Sequence, residues 1–206
     1  MKAEWQIAGQ AFYCAGSYSS GGNNEWKKID SIQDFYKETL KKTTVKIQKS
    51  EKFFRIGKES AITILMAILA LEECSFRNEI SFDTTAILGF GKKGSHQGNL
   101  DYWKDYADNG RQGAQGHLFV GTLASTPLCQ LALTLGCHAP VYYVSPENGY
   151  DPIENELEFL SGECKDLFLI ELDTELCKCM LLHRNEKGFP AEKIIQIQEK
   201  ALCGYC

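Results

Sequence analysis

The sequence predicts an α/β fold with a mostly parallel sheet and helices on both faces. Three observations support this prediction. Apolar segments of strand length alternate with amphipathic or apolar segments of helix length, glycine and proline separate them, and only Asp173-Thr174 joins the last two strand-like segments. Alternation of strands and helices is typical of parallel sheets with helical crossovers, whereas so short a connection requires an antiparallel hairpin.

Each predicted element has a local reason. The predicted elements are strands at 5–13, 84–89, 141–145, 165–172 and 175–182, and helices at 31–40, 57–74, 100–106, 122–135, 151–160 and 190–202. Apolar residues are nearly continuous in 57–74, which indicates a helix buried on more than one side. Gly136 ends the fourth helix, Pro140 and Pro146 bound the third strand, and Pro152 suits a first helical turn. The glycine- and serine-rich residues 15–26 are predicted as a loop.

Composition is that of an ordinary globular protein. The chain has 206 residues, 44% hydrophobic content and a net charge of -5, so we expect a single domain over 1–206 and no nucleic-acid partner. The longest apolar run, Ala61 to Leu71, is too short to span a bilayer, and no export signal is recognised, which favours a cytoplasmic protein. A local basic cluster comprises Lys37, Lys41, Lys42, Lys46, Lys49 and Lys52. It is best interpreted as a solvated helix face, and the alternative is a docking patch for an acidic carrier protein.

The nine cysteines are expected to be reduced and mostly buried, because their number is odd and most lie in apolar periodic segments. Cys177 and Cys179 share one face of a predicted strand and could chelate a metal, as could Cys203 and Cys206. A half-buried strand and a frayed terminus explain these cysteines better, because the spacing lacks two CxxC pairs. We therefore predict no metal and no cofactor.

Short motifs follow one another in a recognisable order along the centre of the chain. They are GHLFVGTL at 116–123, QLAL at 130–133, LGCHAP at 135–140, FLSGECKD at 159–166 and DTE at 173–175. Their order and spacing resemble β-ketoacyl synthases, whose corresponding motifs include GQIA, LGLRGP, IRSGEADVML and GGTE. The apolar helix at 60–74 matches that family's LALAAAREALEDAG helix, and the resemblance spans most of residues 5–182. It implies half of a thiolase fold, a mostly parallel five-stranded sheet with a final antiparallel strand.

The resemblance also implies a degenerate active site. In the family, the third strand leads into a cysteine at the N-terminus of a buried helix, where the dipole and backbone N–H groups favour a thiolate and an oxyanion. Counting from Ser145 places Asn148 at that position, or Glu147 if the register slips by one. A carboxamide cannot form the acyl thioester, and the half that carries the family's catalytic histidines has no counterpart in this sequence. The resemblance therefore implies no catalytic residue.

The function implied is that of a non-condensing accessory subunit, like a chain-length factor of fatty-acid, polyketide, aryl-polyene or unusual-lipid synthesis. Its partner would be an active full-length ketosynthase or a second copy, joined along the strand at 141–145, and an acyl carrier protein would be a further partner. The residues expected at an interface or acyl channel, or equally in the core, are Phe119, Leu123, Leu128, Leu131, Tyr143 and Ser145. Two alternatives stay open: an acyl-thioester-binding or acyl-transfer enzyme with non-thiolase chemistry, and a structural homodimer with no lipid role.

Overall fold

The computed structural model describes residues 4–21, 25–47, 57–113, 115–146, 149–173 and 175–200. Within them the chain forms a mixed sheet of seven strands with helices on both faces, which confirms the predicted α/β class. The strands are β1 (Trp5–Cys14), β2 (Ser17–Ser20), β3 (Lys27–Lys28), β4 (Thr85–Phe90), β5 (Val141–Val144), β6 (Asp166–Asp173) and β7 (Leu176–Arg184). The helices are α1 (Ile32–Lys42), α2 (Lys58–Glu73), α3 (His96–Gly113), α4 (Gly116–Val120), α5 (Thr126–Leu135), α6 (Asp151–Glu163) and α7 (Ala191–Lys200).

The sheet is larger and less parallel than predicted. Its order is β3-β2-β1-β7-β6-β4-β5, and only the β4–β5 and β4–β6 pairs are parallel. Because β1 and β6 both run antiparallel to β7, they share a direction, so β7 is the one reversed strand among the contiguous β5, β4, β6, β7 and β1. The prediction of five strands was wrong because β2 and β3 extend the sheet beyond β1.

The added strands come from a segment predicted as a loop. A tight turn at Ala15 and Gly16 joins β1 to β2, with φ angles of 45° and 86°. Positive φ at both central residues is typical of hairpin turns whose twist matches that of the strands. Glycine adopts this conformation readily, and Ala15 is held in it by the pairing of Cys14 with Ser17.

Two helical layers cover the sheet. On one face α2 packs across β1 and β7 and against α5, and its side chains Leu65, Met66 and Ile68 are buried. A Cβ atom at Gly9 would lie 1.9 Å from the carbonyl oxygen of Ala70, so the bare backbone of β1 permits this close approach. On the other face α6 and α7 bury a second apolar cluster that includes Leu157. The core therefore lies on both sides of the sheet.

The helices after β4 differ from the prediction. α3 is longer than predicted and contains a kink at Gly110, where φ is 68° and ψ is 176°. The short α4 was not predicted, and α5 begins at Thr126 with Pro127 in its first turn rather than at residue 122. None of the described helices is long and apolar enough to cross a membrane.

The cysteines fall into two groups. Cys14 is disulfide-bonded, so the expectation of reduced thiols is wrong for this residue, whereas the other six described cysteines are free. Burial raises the pKa of the Cys177 thiol to about 12 and that of Cys179 well above its ordinary value, which keeps both thiols protonated. Among the described residues no group of three or more His, Cys, Asp or Glu side chains could hold a metal ion. Cys203 and Cys206 lie outside the described residues.

Candidate functional site

The carboxyl ends of β4, β5 and β6 meet at one edge of the sheet, because these strands are parallel neighbours. Ligands of α/β proteins commonly bind at this edge. Asn148 and Glu147, predicted at the nucleophile position, follow β5 in sequence and lie outside the described residues. The site is therefore characterised by the side chains that surround this edge.

Tyr143 links β5 to the turn that follows β4. Its hydroxyl donates a hydrogen bond to the carbonyl oxygen of Gly91 at 3.0 Å and accepts one from the backbone N–H of Gly94. Burial raises the pKa of Tyr143, so it stays a neutral donor. A Cβ atom at Gly91 would lie 1.9 Å from the carbonyl oxygen of Leu172, so the turn requires glycine here. Tyr143 thus holds the turn in place, while Ser145 is exposed.

A charged pair is buried at the same level of the sheet, on the face that α6 and α7 cover. Backbone pairing aligns Phe90 of β4 with Glu171 of β6, and Glu171 with Lys178 of β7. The Nζ atom of Lys178 lies 3.0 Å from Oε2 of Glu171, with side-chain exposures of 7% and 17%. Oε2 of Glu171 accepts no hydrogen bond of good geometry, so the contact with Lys178 is an ion pair without a hydrogen bond.

Lys178 and Gln198 bind each other reciprocally. The Lys178 ammonium donates to the carbonyl oxygen of Gln198 at 2.9 Å, and Nε2 of Gln198 donates to the carbonyl oxygen of Lys178 at 3.4 Å. The cation therefore satisfies a carbonyl in the last turn of α7, where positive charge is favoured. This exchange fixes α7 against β7.

The surroundings of the ion pair are aromatic and polar. The ring of Phe90 meets that of Tyr150 edge to face, with centroids 6.0 Å apart, just before α6 begins. A hydrocarbon chain placed beside buried charges would remove their remaining hydration, which is costly. Among the described residues, the carboxyl edge of the sheet is therefore charged on the side that α6 and α7 cover, and it is not an apolar channel there.

A cleft of ≈ 150 Å³ lies where the N-termini of α2, α3 and α5 converge. Its most unusual group is Glu59, whose carboxylate accepts a hydrogen bond from the backbone N–H of Gln97, while Oε1 is buried without a partner. Burial raises the pKa of Glu59; Asp101 and Asp173 raise it further, and the Gln97 N–H partly opposes them. Carboxyls perturbed in this way cluster at functional sites.

These charged groups were not identified from the sequence. Lys178 and Glu171 each stand inside an otherwise apolar strand, and that break in the pattern was a signal that could have marked them. Glu59 gave no such signal, because an acidic residue in the first turn of a helix is ordinary.

The predicted interface or channel residues separate into two groups. Leu128 and Leu131 are fully buried in the core between α5, α2 and the sheet, and a Cβ atom at Gly89 would lie 2.4 Å from Cδ1 of Leu128. Phe119 and Leu123 instead are 54% and 51% exposed. Phe119 and Leu123 therefore lie on the surface, whereas Leu128 and Leu131 belong to the core.

Residues 96–123, which we call the α3–α4 arm, extend from the carboxyl edge. The backbone N–H of Gln115 donates to Asp105 at 2.8 Å within the arm, and the hydroxyl of Ser95, just before the arm, donates to the carbonyl oxygen of Leu123 at 2.7 Å and ties its two ends together. The exposed apolar side chains of the arm are Leu100, Trp103, Phe119, Val120 and Leu123. Tyr102 packs its ring against that of Phe119, with centroids 5.6 Å apart.

β5 is the last strand of the sheet among the described residues. In the described residues it pairs with β4 alone, in parallel, through Val141, Tyr142, Tyr143 and Val144. Its other side presents unpaired backbone N–H and C=O groups, which another strand could pair.

The sequence matches no protein-family profile and no curated protein. Solved structures do match. One is the ketosynthase ApeO in complex with its chain length factor ApeC from Xenorhabdus doucetiae, with a TM-score of 0.53 and 8% identity over 88% of this chain and 79% of the matched chain. Another is the AntDE:AntF complex of a type II PKS acyl-carrier protein with its hexaketide-bound ketosynthase, with a TM-score of 0.61 and 12% identity over 90% of this chain.

The match to the AntDE:AntF complex covers 64% of that chain, so this chain spans less than two thirds of it. Identities this low establish shared architecture and no more. The motifs in the sequence and the arrangement of the sheet agree with that architecture. The chain therefore shares the fold of these ketosynthase structures, as its motifs predicted.

Proposed function

We propose that this chain is a non-condensing accessory subunit of fatty-acid or polyketide-type biosynthesis, which pairs with an active ketosynthase or with a second copy of itself. Two observations carry the proposal: in the described residues the outer edge of β5 is open, and the α3–α4 arm exposes large apolar side chains. Aryl-polyene and unusual-lipid pathways fall within this class.

The edge of β5 supports a partner for a physical reason. Unpaired strand edges invite pairing with another chain, and proteins usually shield them with charge, proline or a covering element. Val141–Val144 include no charged residue and no proline, no strand of the described residues pairs with the outer side of β5, and Tyr142 is 37% exposed. Pairing with a strand of a partner would satisfy the backbone groups of this edge.

The arm supplies exposed apolar area. Trp103 is 63% exposed and Phe119 is 54% exposed, and aromatic side chains of this kind dominate the energetics of protein interfaces. We assign Phe119 and Leu123 to the interface or to the wall of a partner's acyl channel. Tyr143 and Ser145 lie at the base of the same region, whereas the burial of Leu128 and Leu131 favours a core role.

The chemistry of the surroundings supports a subunit that does not condense acyl chains itself. Asn148 supplies no thiolate, and the Lys178–Glu171 pair makes the α6–α7 side of the edge charged. Burial also raises the pKa of Cys137, the nearest described thiol before β5 in sequence, to about 12, which opposes a displaced nucleophile. The acyl chain would then belong to the partner, and an acyl carrier protein would deliver it there.

Sedimentation velocity with Phe119→Asp tests the proposal, on the chain alone and mixed with a full-length ketosynthase. We expect wild type to associate in one of these settings and the variant to bind at least about tenfold more weakly, about 1.4 kcal/mol. Phe189→Asp is the matched control, because Phe189 is 45% exposed and lies beside Trp5 at the opposite end of the sheet. A wild type that stays monomeric in both settings would exclude the proposed pairing.

Glu59 supports a second candidate, an acyl-thioester-binding or acyl-transfer enzyme acting alone. A carboxyl with a raised pKa in a cleft is suited to proton transfer. Intact-mass analysis after incubation with an acyl thioester distinguishes the two functions. An adduct on the isolated chain would favour the enzyme, and turnover abolished by Glu59→Gln would assign the chemistry to this cleft.

A further inference from the structure

A cavity lies at the amino ends of β4 and β5, opposite to the carboxyl edge. It is enclosed by the segment that follows α1 and the turn that follows α2, and one of its lining residues, Phe82, accepts a hydrogen bond from the backbone N–H of His138 just before β5. Its volume is ≈ 330 Å³, against ≈ 150 Å³ for the cleft beside Glu59. Ligand pockets of proteins begin at about 300 Å³, so this cavity has room for a small organic molecule.

Half of the lining side chains are apolar. They are Val45, Leu71, Ile80 and Phe82. Leu71 belongs to α2 and is buried in the core, whereas the other three are only partly buried and pack against the same core cluster. These three side chains therefore keep apolar surface that the core does not cover. Hydrocarbon placed against that surface would leave water together with it, which is favourable.

The remaining lining residues are polar, and the charged ones among them are both cations, Lys46 and Arg77. Lys46 is exposed and forms no ion pair with a described residue. Thr44 and Asn78 add uncharged polar groups. A concave site whose charged residues share one sign attracts ligands of the opposite sign. The cavity therefore combines apolar side chains with groups that favour an anion.

Arg77 has donors that the fold does not use. Its Nη1 atom donates to the carbonyl oxygen of Glu72 at 3.2 Å and lies 3.6 Å from Oε2 of Glu72. Its Nε–H is buried and has no hydrogen-bond partner among the described residues. A guanidinium group carries five N–H donors, and buried donors of proteins are satisfied in the large majority of cases. Because the side chain is 33% exposed, an anion in the cavity can reach this group.

Glu72 holds the two sides of the cavity together without lining it. Its carboxylate accepts hydrogen bonds from the hydroxyl of Thr43 and, at 2.9 Å, from the backbone N–H of Thr44, and it pairs with Arg77 across the cavity. These contacts leave Lys46 without a counter-charge among the described residues. The cavity is thus held in shape by the fold, and its lining carries an excess of positive charge.

We infer that this cavity binds a small amphiphile with an anionic head and an apolar tail. Lys46 and Arg77 hold the carboxylate or phosphate oxygens of the head through charge-assisted hydrogen bonds, and Val45, Ile80 and Phe82 cover the tail. The cavity lies at the other end of the sheet from the α3–α4 arm. The inference is therefore independent of the proposed function.

An NMR titration of the full chain tests the inference with three probes that share one tail: octanoate, octyl phosphate and octan-1-ol. We expect saturable shifts of the backbone amide signals of Val45, Ile80 and Phe82 with at least one of the two anions, and the tighter anion identifies the head group. Octan-1-ol should bind at least about tenfold more weakly, because it lacks the charge. Absence of saturable shifts at these residues with both anions, or equal binding of octan-1-ol, would overturn the inference.

Three variants assign the binding to the cations. Arg77→Gln should weaken binding of the anion at least about tenfold, and Lys46→Gln about threefold. Lys104→Gln is the matched control, because Lys104 is also exposed but lies on the α3–α4 arm, and it should change the affinity by less than about twofold. If Arg77→Gln does not fold, Lys46→Gln decides, since Lys46 has no described partner to lose. Unchanged affinity in the folded variants would overturn the inference, whatever sedimentation shows about pairing.

Discussion

Replacing Lys178 with methionine tests how the chain tolerates charge in its core. At 3.0 Å from Oε2 of Glu171, an effective dielectric constant of about 20 gives a Coulomb attraction of about 5.5 kcal/mol before desolvation is subtracted. Lys178→Met removes this attraction and leaves Glu171 largely buried and unpaired, and the Gln198 carbonyl loses its donor. Breaking a buried pair from one side costs about 3–5 kcal/mol.

The assay is urea unfolding followed by circular dichroism, at fixed protein concentration. Lys58→Met is the matched control, because Lys58 pairs with Glu175 at 2.9 Å with side-chain exposures of 45% and 55%. Exposed pairs contribute about 0–1 kcal/mol, so burial is the main difference between the two substitutions.

A double variant separates the pair from its burial. Glu171→Leu combined with Lys178→Met replaces both charges by apolar groups, and we expect it to recover most of the stability lost in Lys178→Met. If Lys178→Met and Lys58→Met cost the same, below about 1 kcal/mol, the claim that this pair is buried and energetically coupled is wrong.

Three further predictions concern single residues. Glu59→Gln should raise the melting temperature at pH 7. The pKa of Glu59 is higher in the folded than in the unfolded state, so the contribution of this carboxyl to stability falls as pH rises from the unfolded pKa through the folded pKa. A variant whose stability depends on pH as the wild type's does would contradict this. Leu128→Ala should cost about 2–5 kcal/mol in chemical unfolding, because the side chain is 0% exposed against Gly89; a cost below about 1 kcal/mol would favour a channel over the core. Asn148→Cys alone should not restore condensation of malonyl and acyl thioesters, because a thiol is only one of the groups that this chemistry requires; product formation by the single variant without a partner would refute that.

The elements predicted best were those with strong hydrophobic patterns. α2 and β4 follow from long apolar runs that only burial explains. β2 was missed because Ser17–Ser20 lacks apolar alternation and its turn uses alanine where asparagine or aspartate is usual. Tertiary pairing with β1, rather than local sequence, makes this segment a strand.

The candidate site was predictable only in outline. The position of the edge followed from the order of strands, whereas Asn148, which the resemblance predicts at the nucleophile position, lies outside the described residues. Leu123 and Leu128 are the same residue type five positions apart, yet one is 51% exposed and the other is 0% exposed. The difference in exposure between these two leucines depends on where α5 begins and on which side of α5 faces α2. Neither can be read from the residue type. Glu59 is special only because Gln97 and Asp101 are folded against it.

The most direct test of the account is a condensation assay with an acyl thioester and a malonyl carrier substrate, run with the chain alone, a full-length ketosynthase alone, and both together. The account predicts no product and no covalent acyl adduct from the chain alone, and a change in product length or yield when the chain joins the ketosynthase. Condensation by the chain alone, or a ketosynthase indifferent to its presence, would contradict it.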